Sequence, residues 1–286
     1  MNFLRTIWET RLVKAFENVS VLDMITTAPS EMTGSSVVFN RVGAGDIKDY
    51  DGEIEWGDID TVPVTMTFDF KKYFADKVDD VDKAQTNLAV VDEFAVAQGN
   101  KIGAAADAYA YAKYAAGAGT KLTAVTAATP EAIYDAIVDL GVALGKKNVP
   151  VANRYVVIDW DALGLLQKDK RFTHNPEVLA NGIVNGQKIN GMTIVISANA
   201  PANTLIALYK GAVGFGKQID ELEAMRLQSD FADGVRGLTV GGAAVLNANG
   251  VATVTYTFKT ATETEDETVT EPETPETEDE TVEPNE

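Results

Sequence analysis

The side chains best suited to chemistry are few and scattered in this 286-residue chain. The chain has no cysteine and one histidine, His174, which excludes disulfides, thiolate chemistry, iron–sulfur clusters and zinc knuckles. His174 lies in a polar stretch, KDKRFTHNP, without a second histidine or a serine-nucleophile motif beside it. We therefore interpret it as a surface or turn residue rather than a catalytic base.

Two groups of carboxylates, within residues 76–82 and at Asp159 and Asp161, have the oxygen ligands that a hard cation prefers. The first group lacks the spacing and glycine of a calcium loop, and both groups stand where helix N-termini are predicted, so capping is the better interpretation. Gly43-Ala-Gly45 lacks the third glycine of a dinucleotide site, and there is no Walker loop. We predict no catalytic residue, metal or cofactor, and a protein that is not an enzyme.

The net charge of −19 is concentrated at the C-terminus. Residues 260–286 hold 12 of the 43 acidic side chains and no Lys or Arg, which leaves a net charge of −7 on the rest of the chain. That part lacks the basic excess of a protein that grips duplex DNA. The Thr/Glu/Pro segment has too few apolar residues to offset the entropy of ordering, so a disordered tail is predicted.

The N-terminal sixteen residues, MNFLRTIWETRLVKAF, lack the apolar core and cleavage site of a signal peptide. Nowhere is there a run of about 18 apolar residues that would span a membrane. The sequence predicts a protein made and used in solution.

Residues 3–19 have the periodicity of an amphipathic helix. Arg5, Arg11 and Lys14 lie off its apolar stripe. The stripe itself must be covered either by the protein's own body or by a neighbouring subunit. It consists of Leu4, Ile7, Trp8, Leu12, Ala15 and Phe16.

Two β-rich stretches follow, Ser36 to Val42 and the alternating run from Val62 to Phe70. Pro63 lacks a ladder donor, which predicts that the second strand lies at an edge. The Gly- and Asp-rich residues between the two stretches are too many for a tight turn. We predict a long two-stranded arm that lies against a partner, because an isolated ribbon is marginal in water.

A long helix is predicted from Asp82, whose spacing from Gln85 is that of a capping box, to Lys113 and Tyr114. Gly117 follows as a stop, and a helix of this reach would be about 50 Å long. Such a length is typical of a structural spine. The predicted stripe is Leu88, Val91, Ala95, Ile102 and Tyr109.

The second half has the pattern of a compact α/β unit. Thr129–Pro130 begins a helix with a buried face of Ile133, Ala136, Ile137, Leu140 and Leu144, and Gly145 ends it. Strands are predicted at 155–158, 192–197, 204–209, 237–246 and 251–258, with a helix capped by Asp159 that reaches Leu166. Asn-Gly pairs at 181–182, 185–186 and 190–191 predict turns, and the pair at 249–250 predicts a hairpin.

In this order the elements resemble the major capsid proteins of tailed bacteriophages, the Hong Kong 97-type fold. The branch without a large N-terminal scaffolding extension is the most similar. Residues 1–258 carry the resemblance, through many structural stretches in order rather than one diagnostic motif. The stretches are IWETRLVKAF (7–16), DYDGEIEWGDI (49–59), FDFKKYFADKVDDVDKAQ (68–85), NVPVANRYVVID (148–159), RFTH with LANGIVNG and INGMTIVISAN (171–199), and FADGVRGLTVGGAAVL (231–246).

The resemblance implies an α+β capsid fold with an extended β-hairpin loop, a spine helix in a peripheral domain, an α/β axial domain and, beyond them, the disordered acidic tail. The implied boundaries are an N-terminal arm at 1–34, the extended loop at 35–70, the peripheral domain at 71–118, the axial domain at 119–217, peripheral return strands at 218–259 and the tail at 260–286.

The implied function is self-assembly into pentamers and hexamers of an icosahedral head around double-stranded DNA, in the virion after assembly in the host bacterial cytoplasm. Scaffold, portal and decoration proteins are the further partners implied, with no membrane. The alternatives are an encapsulin-type nanocompartment shell and, less favoured, a surface adhesin with a Thr/Pro stalk.

Inter-subunit contacts are expected in the arm, at Leu4, Ile7, Trp8 and Leu12, and in the loop, at Lys48, Tyr50, Ile54 and Trp56. Some members of the family cross-link a loop lysine to an asparagine of a neighbour with the help of a carboxylate. Lys48 is the only lysine of this loop and has Glu53 and Glu55 near it, but no asparagine matches the acceptor. We therefore expect the shell to be held by buried area or by a cementing protein.

Overall fold

A computed structural model describes residues 20–29, 36–42, 49, 52, 61–79, 88–172, 183–226 and 232–258. The predicted N-terminal helix, the capping box at 82–85, His174 and the acidic tail lie outside these residues. Within them the helices are α1 (Leu22–Ile25), α2 (Leu88–Ala116), α3 (Pro130–Lys146) and α4 (Trp160–Leu166). The strands are β1 (Ser36–Val42), β2 (Thr61–Thr67), β3 (Phe70–Asp79), β4 (Thr120–Lys121), β5 (Arg154–Ile158), β6 (Ile183–Ile189), β7 (Met192–Ile196), β8 (Thr204–Tyr209), β9 (Val213–Arg226), β10 (Ala232–Val245) and β11 (Val251–Thr255).

The strands form three sheets. β1 and β2 make an antiparallel ribbon, β3-β10-β9 make an antiparallel sheet, and the third is a mixed sheet of order β4-β11-β8-β5-β7-β6. Pro63 stands opposite Asn40 in the ribbon, so the predicted edge position of its strand is confirmed. No helix among the described residues is long and apolar enough to cross a membrane.

Helix α2 is the predicted spine. Its 29 described residues span about 43 Å at the α-helical rise of 1.5 Å per residue. Ile102, Ala106, Ala110 and Tyr114 recur every four residues and are buried, while Tyr109 is half-buried beside them. The helix ends at Ala116, where the Gly117 N–H donates to the Lys113 carbonyl over 3.0 Å. Leu88, Val91 and Ala95 lie on this helix.

The six-stranded sheet has a hydrophobic cluster on each face. Alternate residues of its strands point to opposite sides and so belong to different clusters. Val157, Ile206 and Leu208 pack in one cluster with α1, α2 and the base of the three-stranded sheet. Val156 and Leu205 pack in a second cluster with α3 and α4. The sheet is therefore the common wall of two cores.

Helices α3 and α4 begin as their sequences predict. The Thr129 hydroxyl accepts from the Ala132 N–H over 3.3 Å, and Pro130 occupies the first turn. Asp159 caps α4 by accepting from the Ala162 N–H over 2.9 Å, and the helix ends at Leu166 as predicted. The predicted apolar face of α3 is buried throughout, and the helix ends at Lys146, one residue past Gly145.

The Asn-Gly pairs have different outcomes. Asn190 and Gly191 have φ of 48° and 77° between the antiparallel strands β6 and β7, so the predicted turn is confirmed, and it closes a hairpin. The turn predicted at Asn185–Gly186 is wrong, because both residues lie inside β6, where the register with β7 shifts. The pair at 181–182 lies outside the described residues.

The hairpin predicted at Asn249–Gly250 is wrong. β10 pairs with β3 and β9, whereas β11 pairs with β8 and β4 in the other sheet. Between them the N–H groups of Leu246 and Asn247 both donate to the Ala212 carbonyl, and residues 248–250 form a 3₁₀ turn. These bonds redirect the chain from one sheet to the other.

The strand predicted to reach Phe70 is also interrupted. β2 ends at Thr67, and β3 begins at Phe70 because its partner is β10 rather than β1. Phe70 and Phe74 are buried toward α2, and the Phe70 ring lies 5.4 Å from that of Tyr109. β3 and β9 were not among the strands predicted from the sequence pattern.

Candidate functional site

The residues singled out from sequence as contacts all lie outside the described part of the chain. They are Leu4, Arg5, Ile7, Trp8, Arg11, Leu12 and Lys14 in the arm, and Lys48, Tyr50, Ile54 and Trp56 in the loop. The structure therefore does not test these contacts, and they stay predictions. Candidate functional surfaces must therefore be built from other residues.

The perturbed carboxyl of Asp107 is not placed for catalysis. Burial raises its pKa to about 7, against hydrogen bonds from Ser20 and Asn199 that lower it. The residue is 1% exposed and lies in the core between α2 and the segment before α1, so a substrate in solution does not contact it. Among the described residues, no group of three or more His, Cys, Asp or Glu side chains could hold a metal ion.

One exposed apolar surface lies on the outer face of the three-stranded sheet. Tyr73 in β3 is 80% exposed, and Leu238 stands opposite it in β10 and is half-buried. The other face of β3 points Phe70 and Phe74 into the core, so the alternation of the strand leaves Tyr73 outside. An aromatic ring held in solvent on a rigid strand is suited to binding another protein surface.

A second exposed surface lies at the end of the six-stranded sheet. Trp160 is 56% exposed and Phe258 is 45% exposed. Between them, Tyr256 contacts the Phe258 ring edge-on at 5.6 Å and donates its hydroxyl to Asp159 over 2.6 Å. Burial and this hydrogen bond raise the pKa of Tyr256, so it stays a neutral donor at physiological pH. The Tyr256–Asp159 hydrogen bond is therefore a fixed polar contact beside the exposed Phe258 ring.

A groove of about 640 Å³ runs between α3 and the sheet edge at residues 120–125. Apolar residues, among them Leu122, Val125 and Val142, line it, and its rim includes Asp135, Asp139, Lys146 and Lys147. The Leu122 N–H donates inward to Thr253, because β4 is the edge strand of the sheet. An apolar floor with charges of both signs at the rim resembles a protein contact more than an enclosed cofactor pocket.

The β1–β2 ribbon is a fourth candidate surface. Val38 on β1 is 52% exposed, whereas Met66 on β2 is fully buried. Phe39 reaches Gly214 of β9, where a Cβ would lie 3.2 Å from its ring. This base is fixed on the body, and the described pairing of the ribbon ends at Val42 and Thr61.

Sequence reasoning did not select Asp107, Tyr73 or Phe258 as functional candidates. Tyr73 had a detectable signal, since it shares a strand face with Lys71 and Lys77, opposite the face of Phe70 and Phe74. Asp107 falls one helical turn from Gly103 and Tyr111, both buried, and that spacing marks a carboxylate on the apolar face.

A sequence model of a family described as phage capsid protein matches residues 63–270. No curated protein matches the chain in sequence.

Several solved structures share the fold at low sequence identity. A structure of Mycobacterium phage Che8 has a TM-score of 0.62 and 23% identity, over 78% of this chain and 85% of that chain. The capsid of cyanophage P-SCSP1u has a TM-score of 0.67 and 19% identity, over 82% and 87%. A virus-like particle from Pyrococcus furiosus has a TM-score of 0.59 and 14% identity, over 86% and 96%. At these identities the likeness shows the fold alone.

Proposed function

This chain belongs to the phage capsid protein family, and on that premise we propose that it is the major capsid protein of a tailed bacteriophage, a shell-building subunit. The observation that carries the proposal is the family match over residues 63–270, more than two thirds of the chain. The mixed α+β fold, similar to that of phage capsids, agrees with it. In this function the protein acts through contacts between copies rather than through a reaction.

The subunit has a wedge-shaped axial domain and a peripheral domain that contains the spine helix α2. Residues 119–217 form the axial domain, which packs around the symmetry axis of a pentamer or hexamer, and α2 runs through the peripheral domain of 71–118 and 218–259. Within the last range, β11 pairs in the six-stranded sheet and so joins the two parts. The same weak contact, repeated many times, then closes the shell. Because each contact is weak, a misplaced subunit can dissociate during assembly.

The ribbon and the N-terminal arm reach neighbouring subunits. The extended loop of 35–70 lies over an adjacent copy, and exposed Val38 at its described base is suited to that contact. The first part of the arm of 1–34, residues 1–19, crosses to another copy and buries the stripe of its helix there. This exchange accounts for a two-stranded ribbon, which alone is marginally stable in water.

The shell encloses double-stranded DNA in the virion and assembles in the host cytoplasm, with scaffold, portal and decoration proteins as further partners. The tail of 260–286 carries 12 acidic groups and no basic group, so packaged DNA repels it. The tail therefore lies outside the shell, as a spacer or docking peptide, while Arg5, Arg11 and Lys14 of the arm can face the genome.

The deciding experiment is electron microscopy of the chain expressed alone, with sizing chromatography beside it. Closed shells, tubes or capsomer-sized rings are the expected result. A monomer at high concentration, alone and also after co-expression with the scaffold and portal genes of its own phage, contradicts the proposal.

A nanocompartment shell is the second candidate, favoured by the fold shared with the virus-like particle from Pyrococcus furiosus. Both candidates form shells, so their contents separate them. Nuclease-resistant DNA of genome length inside particles made in the phage's host supports the capsid, and a stoichiometric co-purified enzyme without DNA supports the nanocompartment.

A further inference from the structure

Three parts of the fold meet at Asp107 in the middle of α2. The Ser20 hydroxyl, from the described part of the N-terminal arm, donates to Asp107 Oδ1 over 2.6 Å. The side chain of Asn199, from the connection between β7 and β8, lies close to the carboxyl and lowers its pKa. Ser20 and Asp107 are 7% and 1% exposed. This bond joins residues 87 positions apart in the sequence.

The segment 20–29 lies across the body as a strap. Leu22 and Ile25 of α1 are fully buried, and Thr27 forms a parallel bridge with Gly214. The Thr27 N–H donates to Val213 and its carbonyl accepts from Phe215, over 2.9 and 3.2 Å. Residues 1–19 of the arm join the body at this strap.

Charged groups on α1 and β9 and two phenols on α2 contribute to the electrostatic surroundings of Asp107. Burial raises its pKa to about 7, and the negative charge of Asp23 on α1 adds to the rise. Lys217 on β9 lowers the pKa least, and its ammonium group bonds the Asp23 carboxylate at 2.7 Å. Tyr111 and Tyr114, on the next turns of α2, are buried neutral phenols whose own pKa values are raised.

We propose that Asp107 is a pH-sensitive clasp, which holds the strap of residues 20–29 on the spine helix while its carboxyl is protonated and favours release of the strap when it ionises. Opening the strap admits water to the carboxyl, so the ionised form is stabilised in the open state. The clasp is a property of the subunit itself and does not depend on whether the chain builds a shell.

The direction of the effect follows from linkage. The closed state binds a proton up to about pH 7, whereas the open state releases it near the ordinary pKa of an aspartic acid, 3.8. Stability of the closed strap is therefore full below the open-state pKa and is lost as the pH rises through the closed-state pKa.

Hydrogen exchange of the full chain tests the clasp, with the oligomeric state kept the same at both pH values and checked by light scattering. Between about pH 5.5 and about pH 8, the protection factors of residues 21–28 are expected to fall about thirtyfold, while those of the six-stranded sheet stay constant. Protection factors are used because they remove the intrinsic pH dependence of amide exchange.

Asp107→Asn retains the shape and an acceptor for Ser20 but cannot ionise, so protection of the strap should become independent of pH. Asp139→Asn, a change of the same type at an exposed position of α3, should leave the wild-type pH dependence intact. Protection that does not change with pH in the wild type, or an unchanged pH dependence in Asp107→Asn, overturns the proposal. If Asp107→Asn does not fold, the wild-type measurement still decides.

Discussion

Asp159 shows how a single polar side chain joins several elements. Its carboxylate accepts from the Ala162 N–H at the start of α4, from the Tyr256 hydroxyl after β11 and from the Asn203 N–H before β8, over 2.9, 2.6 and 3.1 Å. The interpretation of this residue as a cap, in preference to a cation ligand, is confirmed for its contact with α4. The other two contacts connect elements distant in sequence.

Asp159→Ala should lower the free energy of unfolding by about 2–4 kcal/mol, because it removes a helix cap and leaves the Tyr256 hydroxyl without its acceptor. Chemical denaturation measures the change, with parent and variant in the same assembly state. Asp161→Ala, an exposed carboxylate two residues along, is the matched control and should cost less than about 1 kcal/mol through the helix dipole alone. Equal effects of the two substitutions would contradict the role of Asp159 as a junction.

At the scale of elements, the β1–β2 ribbon packs closely on the three-stranded sheet because a glycine, Gly242, lies at their contact. A Cβ at Gly242 of β10 would lie 2.5 Å from the Thr67 carbonyl oxygen and 2.9 Å from the Phe68 ring. The carbonyl belongs to the backbone between β2 and β3 and cannot rotate aside as a flexible side chain can. Gly242 therefore allows the base of the ribbon to sit on the three-stranded sheet.

Gly242→Ala is expected to destabilise the protein by about 1–3 kcal/mol, the typical cost of overpacking. Gly164→Ala is the control, since a Cβ there meets nothing within 4 Å and helix α4 should gain up to about 1 kcal/mol from the higher helix propensity of alanine. Thermal unfolding of both variants measures the contrast. The steric explanation is rejected if the two substitutions shift the unfolding temperature in the same direction.

Tyr73 tests whether the outer face of β3 binds a neighbouring copy. Because the ring is 80% exposed, Tyr73→Glu should change the stability of the subunit by less than about 0.5 kcal/mol while it reduces shell yield in microscopy and sizing. Ala112→Glu adds the same charge at an exposed position on α2 and is the control. A normal shell yield for Tyr73→Glu would show that this face stays outside the inter-subunit contacts.

The whole molecule combines a nearly balanced body with a polyanionic end. Residues 260–286 contain 12 of the 43 acidic groups, and the family match ends at residue 270, so most of the tail lies beyond it. The body contains two cores on either side of one sheet, which together pack most of its described apolar residues. In the proposed function, assembly depends on the arm, the loop and the surfaces of the body, and the tail is a separate feature.

Deletion of residues 260–286 should leave shell formation intact, because the proposed contacts lie in the arm, the loop and the body. Microscopy of the truncated chain measures shell yield, and electrophoretic mobility should fall with the lost negative charge. A truncated chain that forms no shells, although it folds, would assign the tail an internal role in assembly.

The sequence by itself determined the elements whose signals are local. Thr129 with Pro130, the apolar period through Leu144, and Asp159 before α4 gave the helices of the second half almost to the residue, because capping and periodicity act within one or two turns. The Asn190–Gly191 turn followed for the same reason, since only its own φ angles matter. The resemblance to phage capsids likewise came from short stretches in order.

Only the tertiary structure decided which strands pair and which polar groups are buried. An Asn-Gly pair lies between β10 and β11, yet the two strands belong to different sheets. The Ala212 carbonyl, more than thirty residues earlier, accepts hydrogen bonds from the chain between them. In the sequence, Asp107 is one polar residue of an alanine-rich helix. Its buried environment includes Ser20 and Asn199, which are distant from it along the chain. Sheet pairing and desolvation depend on partners that are distant along the chain, and local sequence patterns do not encode those partners.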